Sequence, residues 1–167
     1  MKNIVLFGGG NIAQAVAEGL INANFKASNI FYIDRNLKNQ KALKKLKIKN
    51  LTKYTSTKVD LFILAVKPKD AIDAYKQILN DFEDPKIVSF VAGIKSKKYL
   101  KFNQNIQFLR AMPNTSARFN LGITAIYNSS FNKNNLAKVS RLFKKIGIVM
   151  DLDNEAKIDT FLSLIHI

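Results

Sequence analysis

The chain has no cysteine, which excludes disulfides, thiolate zinc sites and cysteine nucleophiles together. Its one histidine, His166, stands at the end of an apolar stretch and reads as incidental. No group of carboxylates has metal-ligand spacing, so the expectation is no metal and no nucleophile–base pair. No apolar run approaches the roughly 20 residues that a membrane-spanning helix needs. The opening Met1-Lys2-Asn3 and short apolar run imitate a signal peptide, but the run breaks at Gly8 with no cleavage-like segment after it. The expected location is therefore the cytoplasm, with which the missing cysteines are compatible. Linkers, repeats and low-complexity segments are also lacking, and 167 residues suit one well-buried domain.

Acidic residues are scarce, 12 against 27 lysines and arginines, for a net charge of +15. A polyanionic partner is one explanation. However, Lys38, Lys41, Lys44, Lys45, Lys47 and Lys49 lie on one predicted helix and its exit, without aromatic residues interleaved for base stacking. They read as solvated surface rather than a nucleic-acid site, and their field also attracts an anionic cofactor. Apolar residues make up 47% of the chain and charged ones 23%, the balance of a soluble globular protein.

What is present begins at Ile4–Phe7, an apolar run that stops at Gly8-Gly9-Gly10 and passes into a helical pattern. Gly8, Gly10 and Ala13 match G-x-G-x-x-G/A, the fingerprint of a dinucleotide-binding βαβ unit. One small residue permits the tight turn, one lets the backbone approach a pyrophosphate, and the third lets helix pack on strand. The free N–H groups and positive dipole end of the helix then face the phosphates. Within that helix Gly19 costs about 1 kcal/mol relative to alanine unless close packing needs it. Asp34 ends the second predicted strand, Asn29–Ile33, where such units carry an acidic residue for the ribose hydroxyls of NAD. Arg35 beside it suits the 2′-phosphate of NADP, so the two residues point in opposite directions.

Further strands are expected at Asn50–Tyr54, Leu61–Val66, Lys86–Val91, Ile106–Leu109, Gly122–Tyr127 and Ile148–Met150. Helices are expected over Leu37–Leu46, after Pro68 (stripe Ile72, Tyr75, Leu79, Phe82), over Ser96–Leu100 and along Leu136, Val139, Phe143 and Ile146. A turn is expected at Met112-Pro113-Asn114. Strands alternating with helices predict an α/β fold, a Rossmann-type, doubly wound, mainly parallel sheet with helices on both faces. Asn154 is a candidate cap for a last helix. Its end, Phe161–Ile167, is apolar nearly all round and asks for burial against a partner chain or a further domain.

Four blocks resemble the pyrroline-5-carboxylate reductase family. They are Phe7–Leu20, similar to G-x-G-N-M-A followed by Gly-Leu; Asp60–Pro68, ending Ala-Val-Lys-Pro; Ser89–Ile94, similar to S-x-x-A-G-[IV]; and Arg110–Gly122, similar to R-x-M-P-N-T-P-A. The resemblance implies that Gly8, Gly10, Asn11 and Ile12 wrap the pyrophosphate, with Arg35 and Asn36 near the adenosine ribose. It puts Ala65, Val66, Lys67 and Pro68 along the nicotinamide half. Ala92, Gly93, Pro113 and Asn114 then line the pocket of hydride delivery. The implied cofactor is NADP or NAD, and the implied reaction reduces the C=N bond of 1-pyrroline-5-carboxylate to proline. A protonated imine is already electrophilic, so no elaborate acid–base machinery is expected and no catalytic residue is assigned.

Three departures stand out. Ser116 replaces the family's proline. The family's ribose-side asparagine has no match in Lys53-Tyr54-Thr55. Glu155 and Asp159 resemble the opening of a segment that leads, in the family, to a helical dimerisation domain and the grip on the substrate carboxylate, but Thr160–Ile167 does not continue that pattern. Residues 1–152 are thus expected to form an NAD(P)-binding domain and 153–167 the start of a truncated C-terminal domain. The full-length protein is expected to be a homo-oligomer, and this chain alone inactive. Rival readings are another Rossmann reductase of the β-hydroxyacid or ketopantoate type, and a noncatalytic NAD(P)-binding regulatory module.

Overall fold

The computed structural model describes residues 1–51 and 58–165, with side chains described as far as Phe161. The predicted strand residues 52–54 and His166 lie outside the described residues.

Strand β1 (Ile4–Phe7) and strand β4 (Leu61–Leu64) are buried at every position. Such uninterrupted apolar strands arise where a parallel sheet is covered on both faces. They lie side by side in the interior of one sheet. Its other members are β2 (Ile30–Ile33), β3 (Lys49–Asn50), β5 (Lys86–Ser89), β6 (Gln107–Pro113), β7 (Gly122–Asn128) and β8 (Gly147–Asp151), in the order β3-β2-β1-β4-β5-β6-β7-β8. Every neighbouring pair is parallel except β6–β7. The expected doubly wound α/β architecture is therefore present.

Helices α1 (Asn11–Asn22), α2 (Leu37–Lys45) and α5 (Lys133–Phe143) cover one face, where Ile4, Leu6 and Ile63 meet Val16, Leu20, Leu43 and Phe143. Helices α3 (Ala71–Asp81) and α4 (Ser96–Leu100) cover the other, where Val5, Phe62 and Leu64 meet Tyr75, Ile78 and Tyr99. A last helix, α6 (Ala156–Ile165), seats Ile158 and Phe161 on Met112, Ala125 and Tyr127. The Asn154 side chain accepts from the Ala156 N–H at 2.9 Å, the capping role expected of it.

Met112 and Pro113 are not a turn, contrary to expectation; they are the end of β6. The ladder with β5 stops at Arg110, whereas that with β7 runs on to Pro113. On the β5 side Pro113 has no partner in the ladder, so its missing N–H costs no bond there. The reversal instead occupies a 3₁₀ turn, Thr115–Phe119, short enough to force the antiparallel pairing that follows. The predicted stripe of α3 packs on the core, Tyr75 fully buried and Ile72, Leu79 and Phe82 partly so, and Ala71, Ala74 and Ile78 widen the buried face.

This 3₁₀ turn explains Gly19. A Cβ there would stand 2.0 Å from the Ala117 carbonyl oxygen, so helix and turn meet backbone to backbone. The junction is fastened by Arg118 Nε to Glu18 Oε2 at 2.6 Å and by Asn120 Nδ2 to the Gly19 carbonyl at 2.7 Å and the Lys145 carbonyl at 2.9 Å. Next to it Gly147, at φ 145°, would place a Cβ 1.9 Å from the Gly122 carbonyl oxygen.

Candidate functional site

In an open parallel sheet, ligands bind beyond the carboxyl ends of the strands, where the chain order reverses. Here the reversal falls between β1 and β4, with β2 on one side and β5 on the other. The loop leaving β1 is the glycine loop. Gly8, at φ 102°, has a backbone few other residues adopt, and a Cβ on it would lie 2.6 Å from the Ala65 carbonyl oxygen and 2.9 Å from Val66 Cγ1. The glycine loop and the loop leaving β4 are thus in direct contact. Gly10 is different: a Cβ there would meet nothing within 4 Å. It faces open space at the mouth of α1.

Gly10 is also the N-cap of α1, and no side chain caps that helix. Helices α3 and α4 likewise lack a side-chain cap, whereas α2 and α5, on the same face of the sheet as α1, have one. Asn36 caps α2 by accepting from the Lys38 and Asn39 N–H groups at 2.9 and 3.2 Å. Asn132 caps α5 by accepting from Asn135 at 2.9 Å. The first turn of α1 carries no carboxylate that would repel an anion. Uncapped N–H groups, a positive dipole end and room above Gly10 together make an anion cradle. A pyrophosphate fits it.

The loop is held in this shape by the protein itself. The Gly8 N–H donates to the Ile33 carbonyl at 2.9 Å, the Gly9 N–H to Asp34 Oδ2 at 2.5 Å, and Gln14 Nε2 to the Gly9 carbonyl at 2.7 Å. Asp34 is therefore turned inward. Its Oδ2 also accepts from Asn39 Nδ2 at 3.0 Å, and its Oδ1 from the Asn36 N–H at 2.5 Å. Sequence reasoning did not foresee this loop-bracing role. The signal for it was an Asp-x-Asn turn leading directly into a helix, in which an aspartate satisfies backbone N–H groups. Arg35, in contrast, is exposed, and among the described residues its guanidinium has no acid partner.

The other predicted site residues divide by strand. Ala65, Val66, Lys67 and Pro68 follow β4; Ala92 and Gly93 follow β5; Pro113 closes β6. All lie beyond carboxyl ends on the edge that carries the glycine loop. Asn11 and Ile12 open α1. Asn114 is partly committed elsewhere, because its Oδ1 accepts from the Ile123 N–H at 3.0 Å and its own N–H donates to the Ile123 carbonyl at 3.2 Å. It clips β6 to β7.

One further cluster was not anticipated as a unit. Arg110, on β6, is wholly buried, with Nη1 3.3 Å from Glu155 Oε1 and Nη2 3.1 Å from Asp159 Oδ1. Tyr99 lies close by. Burial pushes its phenol above the usual tyrosine range, opposed by the Ser89 hydroxyl and the Arg110 guanidinium. Among the described residues no group of His, Cys, Asp and Glu is arranged to hold a metal ion. No helix among them is long and apolar enough to cross a membrane.

Residues 3–93 match the model of the family described as NADP oxidoreductase coenzyme F420-dependent. A pyrroline-5-carboxylate reductase of Staphylococcus epidermidis is 30% identical over an alignment covering 91% of this chain and 59% of that one. Among solved structures, a pyrroline-5-carboxylate reductase from Coxiella burnetii superposes with a TM-score of 0.86 at 22% identity, covering 98% of this chain and 63% of that chain. The Plasmodium falciparum pyrroline carboxylate reductase, solved with NADP bound, gives 0.82 at 21% identity, covering 98% and 65%. The chain thus spans about three-fifths of the length of the relatives it matches.

Proposed function

The chain belongs to the family of NADP oxidoreductases described as coenzyme F420-dependent, and from that premise we propose that it is the dinucleotide-binding part of an NADPH-dependent pyrroline-5-carboxylate reductase. The observation that carries this reading is the uncapped N-terminus of α1 beneath the open space at Gly10. The relatives' names supply the substrate, 1-pyrroline-5-carboxylate, whose C=N bond takes a hydride at carbon and a proton at nitrogen to give proline.

The preference for NADPH over NADH rests on the second loop. Discriminating NADH requires a carboxylate presented to two ribose hydroxyls, but three donors within the protein already occupy Asp34. Arg35 stands beside it, exposed and free of acid partners among the described residues. A guanidinium is well matched to a phosphate, which it grips with paired N–H donors.

When bound, NADPH supplies the hydride. The chain's part is to hold the pyrophosphate on the N–H groups that open α1 and the 2′-phosphate at Arg35. The loops after β4 and β5 then form the wall along the nicotinamide half and keep water from it. We assign residues 1–152 to this domain and 153–167 to the start of the helical domain that the resemblance implies, where the substrate carboxylate would be gripped and dimers formed.

Fluorescence titration of the 167-residue chain with NADPH and NADH tests the reading. NADPH binds more tightly, and Arg35→Ala removes most of that difference. Equal affinities in the unaltered chain refute the assignment of Arg35.

A further inference from the structure

Arg110 is an expensive residue to place inside a sheet. Its guanidinium is shut away from water and its Nε has no hydrogen-bond partner among the described residues. A well-packed apolar side chain at such a position is commonly as stabilising as a buried ion pair, or more so. Packing alone therefore does not explain it.

Its partners suggest what does. Glu155 and Asp159 lie four residues apart, on one side of the start of α6, and both turn to Arg110. Each carboxylate also holds the loop that leaves β5. Glu155 Oε1 accepts from the Ser96 N–H at 2.6 Å and from Ser96 Oγ at 2.7 Å, while Asp159 Oδ1 accepts from the Gly93 N–H at 3.4 Å. The segment from Gly93 to Ser96 is thus pinned at both ends by two acids, one just before α6 and one in its first turn, and both acids pair with one buried cation. In a doubly wound sheet the β1–β2 side holds the adenosine half of a dinucleotide and the opposite side holds the other mononucleotide half. β5 is on that opposite side, and above Gly93 there is open space.

We propose that Arg110 is a positioning residue for the nicotinamide half of the cofactor, acting through Glu155 and Asp159 on the Ala92–Gly93 loop. This rests on the dinucleotide reading above. Arg110 itself touches no ligand. Removing its charge leaves Glu155 and Asp159 without the cation they share, so α6 lifts and the Gly93 peptide loses its fixed orientation.

The test compares two probes, NADPH and 2′,5′-ADP, which lacks the nicotinamide half. In Arg110→Met, NADPH affinity falls by about tenfold and the enhancement of nicotinamide fluorescence on binding is lost, whereas 2′,5′-ADP binds within about twofold of the unaltered chain. Arg110→Lys keeps the charge but not the fork of two N–H donors, and recovers part of the loss. Asp159→Asn, at a side chain that is 40% exposed, leaves the fold intact and weakens NADPH alone, so the test stands even if Arg110→Met does not fold. Parallel losses of both probes in Asp159→Asn, or an unchanged nicotinamide signal, overturn the proposal. Failure of both probes to bind the unaltered chain instead removes the dinucleotide reading itself.

Discussion

Replacing Gly10 by alanine separates the demands of the fold from those of the ligand. The backbone there has φ −68° and ψ −177°, values any residue adopts, and the new methyl meets no atom within 4 Å. Restricting the unfolded chain contributes about 0.4–1 kcal/mol of stability. Alanine is a poorer N-cap than glycine by a similar amount. The two nearly cancel, so the melting midpoint moves by no more than about 3 °C. Binding behaves differently. The methyl fills the space a pyrophosphate needs in order to reach the first N–H groups of α1. Losing one charge-assisted hydrogen bond costs about 2 kcal/mol, or roughly 30-fold in Kd for NADPH. Thermal denaturation and fluorescence titration of the same preparation provide both numbers. Unaltered NADPH affinity would show that the cradle is not where phosphate binds, and a fall of more than about 10 °C would show that Gly10 is structural.

Gly147→Ala has the opposite profile: its Cβ would overlap the Gly122 carbonyl, and the loss of roughly 4 kcal/mol or more appears as a lowered denaturation midpoint whatever the ligand. Burial pushes the Asp60 carboxyl up, but the Asn3 and Lys2 N–H groups, the N-terminal ammonium and Lys58 outweigh it and hold its pKa below the usual value. A lowered pKa stabilises the fold above the unfolded pKa of about 3.9, and that contribution disappears as pH falls through the folded value. Asp60→Asn should therefore be less stable than the parent at pH 7, the difference closing below about pH 4 in urea titrations. Burial, aided by Tyr99, pushes the Tyr75 phenol up to about 12, so stability held below pH 10 is lost as pH rises toward 12. The Tyr75 hydroxyl has no partner among the described residues. Tyr75→Phe should thus be neutral or stabilise by about 1 kcal/mol, and should flatten the alkaline limb of the stability curve.

Much of this architecture could be read in advance because its causes are local. An apolar run of four residues ending in glycines can hardly be anything but a buried strand entering a turn, and Ile4 to Ala13 behaves so. What could not be read has tertiary causes. Met112-Pro113 has the composition of a turn, and only the unequal reach of β5 and β7 along β6 makes a strand of it. Asp34 was identified as a site residue for its position after β2. Which way its carboxylate turns depends on Gly9 and Asn39, which approach it only when the loop and α2 are both folded. Arg110 belonged to a recognised block, but its significance lies in acids 45 and 49 residues further on. No local pattern announces such a pairing.

The seam between α1 and the Thr115–Phe119 turn has a consequence for how the chain is made. Gly19 and Glu18 find their partners about 100 residues downstream. At ribosomal speeds of about 5–20 residues per second, α1 therefore waits roughly 5–20 s for the segment that completes its packing. In that interval Val16 and Leu20 can lean on β1 but not on Phe143 or Ile146, which have yet to emerge. The nascent glycine loop has its near braces, Ile33 and Asp34, long before α1 has its far ones. The region that recognises phosphate can thus take shape early, while the helix carrying it is seated among the last.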